Sequence, residues 1–150
     1  LKMAQYAPLN RQLVLVVEDE PVLRMAAVDM VEYAGFDAVE ATDATDAVRI
    51  LETRPDICIV FTDVDMPRGV DGLKLASLIR KRWPPIHIIV TSGKAEVGKM
   101  TLPADCVFFD KPYDERRIIA EMRRMSSACR PNLINEKVIP IICTGDTRAT

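Results

Sequence analysis

The chain has 150 residues, 49% of them hydrophobic, with 20 basic against 22 acidic side chains and a net charge of −2, the size of one ordinary domain with short tails. So even a balance leaves no broad cationic field of the kind that draws in nucleic acid or anionic lipid, and any partner must be met by shape and local chemistry. No apolar run approaches the roughly 20 residues that span a bilayer.

The opening LKMAQYAPLNRQ lacks the apolar segment and small-residue cleavage site of a signal peptide, so a cytoplasmic location is expected. Because Leu1 precedes Met3, the first residues are read either as added sequence or as the continuation of something longer. Cys58, Cys106, Cys129 and Cys143 are far apart and include no CxxC. That spacing predicts reduced thiols, neither a disulfide framework nor a zinc knuckle.

In chain order, the first strand is LVLVV at 13–17. A helix follows from about Glu20, with Pro21 early, where its missing N–H costs nothing, and with Val22, Leu23, Ala26, Met30 and Val31 as its apolar stripe. Gly35 ends it. FDAVEA at 36–41 alternates in polarity and is expected near a sheet edge. The second helix runs from Asp43, a plausible N-cap, through Ala47, Val48 and Leu51 to Pro55.

ICIVFT at 57–62 is the third strand. The third helix starts near Asp71 and carries Leu73, Leu75, Ala76, Leu78 and Ile79 as far as Trp83, before Pro84 and Pro85 forbid continuation. IHIIVT at 86–91 is the fourth strand, and His87 within it is read as a core residue. The fourth helical segment, GKAEVGKMTLP, is weak, with two glycines and few apolar residues. CVFF at 106–109 is the fifth strand, and a last helix from Tyr113 to about Met125 presents Ile118, Ile119, Met122 and Met125.

Strands and helices alternating with short connections predict an α/β, doubly wound parallel sheet with right-handed crossovers and helices on both faces. Ligands of such sheets bind beyond the carboxyl ends of the strands. Glu18 and Asp19 follow strand one there, Asp63 follows strand three, Thr91 and Ser92 end strand four, and Lys111 follows strand five. Clustered carboxylates repel by about 4 kcal/mol per pair at 4 Å and an effective dielectric of 20, which a divalent cation compensates. Oxygen ligands with room for water suit Mg²⁺. A hydroxyl and an ammonium beside the same cation are what a phosphoryl group needs around its oxygens, and Asp63 can then act as the nucleophile and carry an acyl phosphate.

With VVEDE as the acidic pair, TDVDMP around Asp63, Asp71-Gly72 opening a helix, Thr91-Ser92 and Lys111-Pro112, the chain resembles the receiver domains of two-component response regulators over roughly residues 11–126. Residues 1–10 are then an N-terminal extension and 127–150 a C-terminal tail. The resemblance implies a flavodoxin-like five-stranded sheet of order 2-1-3-4-5. It implies that Asp63 is the phosphoacceptor, that Asp19, Asp63 and the backbone carbonyl of Asp65 hold Mg²⁺ with Glu18 acting through water, and that Thr91 and Lys111 contact the phosphate. Thr91 and Phe108 would be the switch pair. Phe108 stands where tyrosine is commoner, and LPADC replaces the usual Gly-Ala before strand five.

Each residue also has a plainer reading: Glu18 and Asp19 as helix caps, Asp71-Gly72 as a helix start, Thr91 and Ser92 as turn residues, Lys111 as a solvated lysine. IVFTDVDMP also looks like the first motif of haloacid-dehalogenase-type phosphatases, with Asp63 as nucleophile and Asp65 as general acid. That fold needs the motif near its start and a further acidic pair on a strand after the lysine, and this sequence has neither. Asp65 is therefore expected to face outward and lend only its carbonyl.

The 25 residues from Ser126 to the end cannot form a helix-turn-helix domain, and no ATP-binding core is present, so direct DNA binding by this chain is not expected. The phosphoryl group would come from a histidine kinase, a phosphotransfer protein or a small donor, catalysis stopping at self-phosphorylation and slow self-dephosphorylation. Output would go to a downstream protein. The chain is either a stand-alone regulator or a receiver cut from a hybrid kinase, and VIPIIC near its end is a segment able to pack on the domain or on a second copy in a homodimer.

Overall fold

Five apolar segments pair in parallel into one sheet of order β2-β1-β3-β4-β5 in the computed structural model, which describes residues 11–66, 72–93, 102–103 and 105–134, with side chains through Cys129. The strands are β1 (Leu13–Val17), β2 (Asp37–Ala41), β3 (Ile57–Asp63), β4 (His87–Ser92) and β5 (Cys106–Asp110). β3 is central and buried at all seven positions, as its unbroken apolar run demands of a strand covered on both faces. β2, the one that alternates, is an edge as expected. The described helices are α1 (Pro21–Tyr33), α2 (Ala44–Thr53), α3 (Gly72–Arg82) and α4 (Glu115–Ile134). Residues 1–10, Asp71, most of the weak helical segment before β5 and the VIPIIC segment lie outside the described residues.

Successive strand residues point to opposite faces, and this divides the core in two. Leu15, Val17, Val60, Ile88 and Val90 pack with Ala47 and Leu51 of α2 and Leu75, Ala76 and Ile79 of α3. Val14, Val16, Phe61 and Ile89 pack with Ala27, Met30 and Val31 of α1 and Ile118, Ile119, Met122 and Met125 of α4. The alternation breaks once. The pairing of β1 with β3 steps from Leu13–Ile57 to Val14–Ile59, so Cys58 is an extra residue, and it joins Ile59 on the α1/α4 face. A bulge re-aims a side chain in this way.

Local chemistry sets the helix ends. Asp43 caps α2 as its position suggested, accepting the Asp46 amide at 2.8 Å. Gly35, at φ 103°, supplies the left-handed turn after α1 that residues with a Cβ resist. The apolar stripe of α1 needs correction. Ala27, Met30 and Val31 are buried, whereas Val22 and Leu23 are 72% and 47% exposed and Ala26 is exposed too. The first turn of α1 overhangs the end of the sheet, so only residues from Ala27 onward have strands beneath them. The last helix starts at Glu115 and continues to Ile134, past the expected end near Met125. His87 is half-buried at the first position of β4 rather than within the core.

Gly72 explains the Asp71-Gly72 pair in terms of space. A Cβ there would lie 2.3 Å from the Asp63 carbonyl oxygen and 2.8 Å from the Val64 Cα, both rigid backbone. The start of α3 is therefore seated directly against the end of β3. Gly72→Ala should lower stability by about 1–3 kcal/mol, the usual cost of overpacking, measured by urea melts against wild type. An unchanged midpoint would show that the contact yields.

Candidate functional site

The parallel sheet brings its polar strand ends to one edge, and backbone bonds fix their heights. The Glu18 amide donates to Ala41 O at 3.1 Å, the Val64 amide to Thr91 O at 2.8 Å and the Lys111 amide to Ser92 O at 2.9 Å. Asp63 pairs in register with Thr91. The edge is thus laced across β2-β1, β3-β4 and β4-β5 just where the charged side chains begin.

Glu18 (7% exposed) and Asp63 (5% exposed) are buried, and Asp19 is half-buried. One carboxylate oxygen from each of the three lies within 4.8 Å of the others. Lys111 Nζ stands 3.1 Å from Asp63 Oδ1 and 4.0 Å from Glu18 Oε1. Although that 3.1 Å contact is a close ion pair, Asp63 Oδ1 is fully buried and receives no hydrogen bond of good geometry. Its charge is met by a cation to one side, with its remaining lone-pair directions unused.

Burial pushes the Glu18 carboxyl up from 4.5 to about 7, with the charge of Asp63 and the nearby Asp19 adding to it and the Glu20 amide and Lys111 opposing it. That amide donates to Glu18 Oε2 at 3.1 Å. The N-cap residue of α1, Glu20, makes no side-chain cap bond; the helix start is braced instead by the Glu18 carboxylate on the Glu20 amide. Burial also raises the Asp63 carboxyl, against the pull of Lys111 and a hydrogen bond from the Asp65 amide. Two carboxylates 4.8 Å apart repel by about 3 kcal/mol at an effective dielectric of 20. Three carboxylates facing one ammonium leave an excess of negative charge, and an all-oxygen donor set with an orphaned buried oxygen fits a hard divalent cation.

A cavity of about 430 Å³ opens beside this corner, lined by Glu18, Asp63, Thr91 and Lys111 together with Leu23 and Tyr113. The overhanging turn of α1 supplies its apolar wall, and the Tyr113 ring meets Phe61 edge-on with centroids 6.0 Å apart. Thr91 is 2% exposed. Of the predicted site residues, Glu18, Asp19, Asp63, Thr91 and Lys111 come together. Phe108 does not line the cavity; it is half-buried and packs with the α2/α3 side of the core.

Asp65 departs from expectation. Its carboxylate does not face outward but accepts from Ser92 Oγ at 3.1 and 3.2 Å and from the Gly93 amide at 3.1 Å, tying the loop after β3 to the end of β4. The sequence reading took Ser92 as a strand-end or turn residue and gave Gly93 no role, and the one signal for this tie was a hydroxyl next to glycine at a strand end facing an unassigned acid. Tyr113 and Leu23 were also missed, because a cavity wall leaves no motif.

The cysteine expectation is likewise overturned. Cys58 and Cys129 are joined in a disulfide across 71 residues, brought together by the bulge in β3 and the continuation of α4, neither of which the spacing of cysteines reveals. Cys106 is unbridged, and Cys143 lies outside the described residues. Among the described residues, no helix is long and apolar enough to cross a membrane.

Comparison with known proteins agrees with this geometry. Residues 14–123 match the family described as the response regulator receiver domain. The sensor kinase CckA of Brucella abortus is 35% identical over 116 residues, covering 75% of this chain and 12% of that protein. The aerobic respiration control protein ArcA of Escherichia coli K12 is 32% identical over 117 residues, covering 76% of this chain and 48% of that protein. The chain therefore spans less than half the length of either. Among solved structures, a response regulator receiver protein from Pseudomonas putida superposes with a TM-score of 0.67 at 33% identity, covering 76% of this chain and 97% of the other. The receiver domain of the hybrid histidine kinase CckA does so at 0.64 and 27%, covering 75% and 97%. With its sheet order, its acidic corner and its sequence all in agreement, the chain belongs to the response regulator receiver domain family of two-component systems.

Proposed function

We propose that this chain is a phosphoacceptor whose Asp63 takes a phosphoryl group from a histidine kinase or phosphotransfer protein, and that the change is passed to a downstream protein. The observation that carries this reading is the buried Asp63 Oδ1, 3.1 Å from Lys111 Nζ and otherwise without a well-formed hydrogen bond. A buried carboxylate oxygen next to an ammonium and an open cavity is poised to attack rather than to stabilise the fold. An Asp63 oxygen forms the new O–P bond as the donor's P–N bond breaks, and the departing imidazole takes up a proton. Lys111 neutralises a phosphoryl oxygen, and the Thr91 hydroxyl donates to another.

Asp19, Asp63 and the Asp65 carbonyl would hold Mg²⁺, with Glu18 acting through water, and the ion would supply charge neutralisation beyond that of Lys111. Thr91 and Phe108 form the switch, with Thr91 drawn toward the phosphoryl group and Phe108 following on the neighbouring strand. The receiver begins near residue 11 and, because α4 continues past 126 to Ile134, extends beyond the boundary expected from the sequence; it works in the cytoplasm, where ATP-dependent phosphoryl donors are made. The Asp65 carboxylate is held by Ser92 and Gly93, which disfavours its use as the general acid of a phosphatase.

Treatment with phosphoramidate and Mg²⁺, followed by mass spectrometric mapping, should give one adduct, on Asp63, and none in Asp63→Asn. An adduct on Asp65 or a full signal in Asp63→Asn would overturn the assignment.

Removing one charge from the crowded corner should stabilise the protein in EDTA. Asp63→Asn is expected to gain on the order of 1 kcal/mol over wild type, given the Coulomb scale and screening. Millimolar Mg²⁺ should raise the melting temperature of wild type and raise that of Asp63→Asn much less, since a ligand that binds only the folded state stabilises it by mass action. Equal melts for both proteins in both buffers would argue against a metal corner.

The raised Glu18 carboxyl gives a pH signature in EDTA. Below about 4.5 the group is protonated whether folded or unfolded. Between about 4.5 and about 7 the unfolded chain has lost that proton while the folded one retains it, so stability falls as pH rises through this window. Glu18→Gln should flatten that part of the stability profile. A slope unchanged by the substitution would assign it to other groups.

A further inference from the structure

We propose that Cys58 and Cys129 form a reversible redox site that clamps the end of α4 onto the amino-terminal edge of the sheet. The two side chains are 7% and 9% exposed, yet both line a second cavity of about 430 Å³ at the edge opposite the acidic corner, with Arg54, Arg82, Trp83 and Pro84 around it. A small oxidant or thiol can therefore reach sulfurs that are otherwise buried.

Two independent features aim the pair. The bulge gives β3 an extra residue at Cys58 and turns it to the α1/α4 face, where a regular strand would alternate. On α4, Cys129 follows Met122 and Met125 by seven and four residues, so the same helix face that buries Met122 and Met125 carries Cys129 onto β3. The Cα atoms are 6.4 Å apart, within the span a disulfide bridges without backbone movement. Cys106 packs with the opposite face of the sheet, and burial raises its thiol, so it competes for neither partner.

In the cytoplasmic setting proposed above, disulfides are rare and those that occur are usually transient or redox-sensing. Hydrogen peroxide suffices as oxidant. One thiolate displaces hydroxide from the peroxide and becomes a sulfenic acid, and the hydroxide takes up a proton to leave as water. The second thiol then attacks that sulfur, the S–O bond breaks, and a second water leaves as the S–S bond forms. Two thiols have together given up two electrons and two protons. Reduction by a small thiol runs through a mixed disulfide and returns both thiols as the reductant becomes a disulfide.

The clamp holds the helix end rather than the acceptor. Asp63 lies five residues further along β3, roughly 17 Å away at strand rise. Ser126 hydrogen-bonds Gln12, and among the described residues the tie of α4 to the sheet beyond it is at Cys129, which meets Cys58. Oxidation therefore fixes the part of the chain leading into the C-terminal residues, and reduction releases it.

The full chain should be equilibrated without oxygen across graded ratios of reduced to oxidised glutathione, its thiols trapped by alkylation and mapped by mass spectrometry. The expected result is a reversible exchange between a Cys58–Cys129 linked peptide and two alkylated cysteines, with Cys106 alkylated to the same extent throughout. Hydrogen–deuterium exchange after Ser126 should be about tenfold faster or more in the reduced form and unchanged at the ends of β1 and β3. Cys129→Ser should exchange like the reduced form under every condition. Should that variant fail to fold, the wild-type series decides the matter. A bond that persists in reduced glutathione alone is a permanent staple and overturns the proposal. So do two free thiols in oxidised glutathione or peroxide, a link to Cys106 or Cys143 instead, or exchange after Ser126 that is the same in both forms.

Discussion

Mutual repulsion among Glu18, Asp19 and Asp63, with oxygens within 4.8 Å of one another, is the constraint around which the rest of the molecule is arranged. An isolated loop would relax such a cluster into water. Here β1 and β3 are paired neighbours buried along nearly their whole length, so their ends cannot separate without uncovering the core. Gly72 lets α3 start against the Asp63 carbonyl, and Lys111 brings the compensating charge from β5. The stability of the sheet is thus what holds an unfavourable charge arrangement in place.

The two ends of the sheet carry different tasks. At the carboxyl end, loops supply charge, hydroxyls and a cavity with an apolar wall from the overhanging turn of α1. At the amino end, the cysteine bridge, the half-buried Trp83 and three prolines, Pro55, Pro84 and Pro85, border a second cavity. β3 runs through both, with Cys58 near one end and Asp63 at the other.

How much of this could be read beforehand depends on whether the signal was local. The β1, β3 and β4 runs of apolar residues, the Asp43 cap and the residues ending each strand are local, and they led to the sheet and to Glu18, Asp19, Asp63, Thr91 and Lys111. The stripe of α1 was misread because periodicity gives the spacing of a face but not where the sheet beneath it ends; Val22 and Leu23 keep the helical period yet lie past that edge. The thiols were misread because a bulge at Cys58 and a helix continuing to Cys129 act together across 71 residues. Asp65 was expected to face outward once the phosphatase reading that would use its carboxylate failed, whereas its partners sit 27 and 28 residues away at the end of β4.

That last contact bears on how a signal leaves the corner. Asp63 and Thr91 face each other in register, and one or two residues further on Asp65 grips Ser92 and Gly93 through two donors, the Ser92 hydroxyl shared between both carboxylate oxygens and the Gly93 amide. Hydrogen bonds to a charged acceptor are stronger than neutral ones, about 1.5–3 kcal/mol each against about 1. The ends of β3 and β4 therefore move as one piece. If added charge at Asp63 draws Thr91 inward as proposed, the segment carrying Ser92 and Gly93 would come with it or lose its bonds to Asp65. In this chain the acidic corner is tied to the loop behind it by a carboxylate.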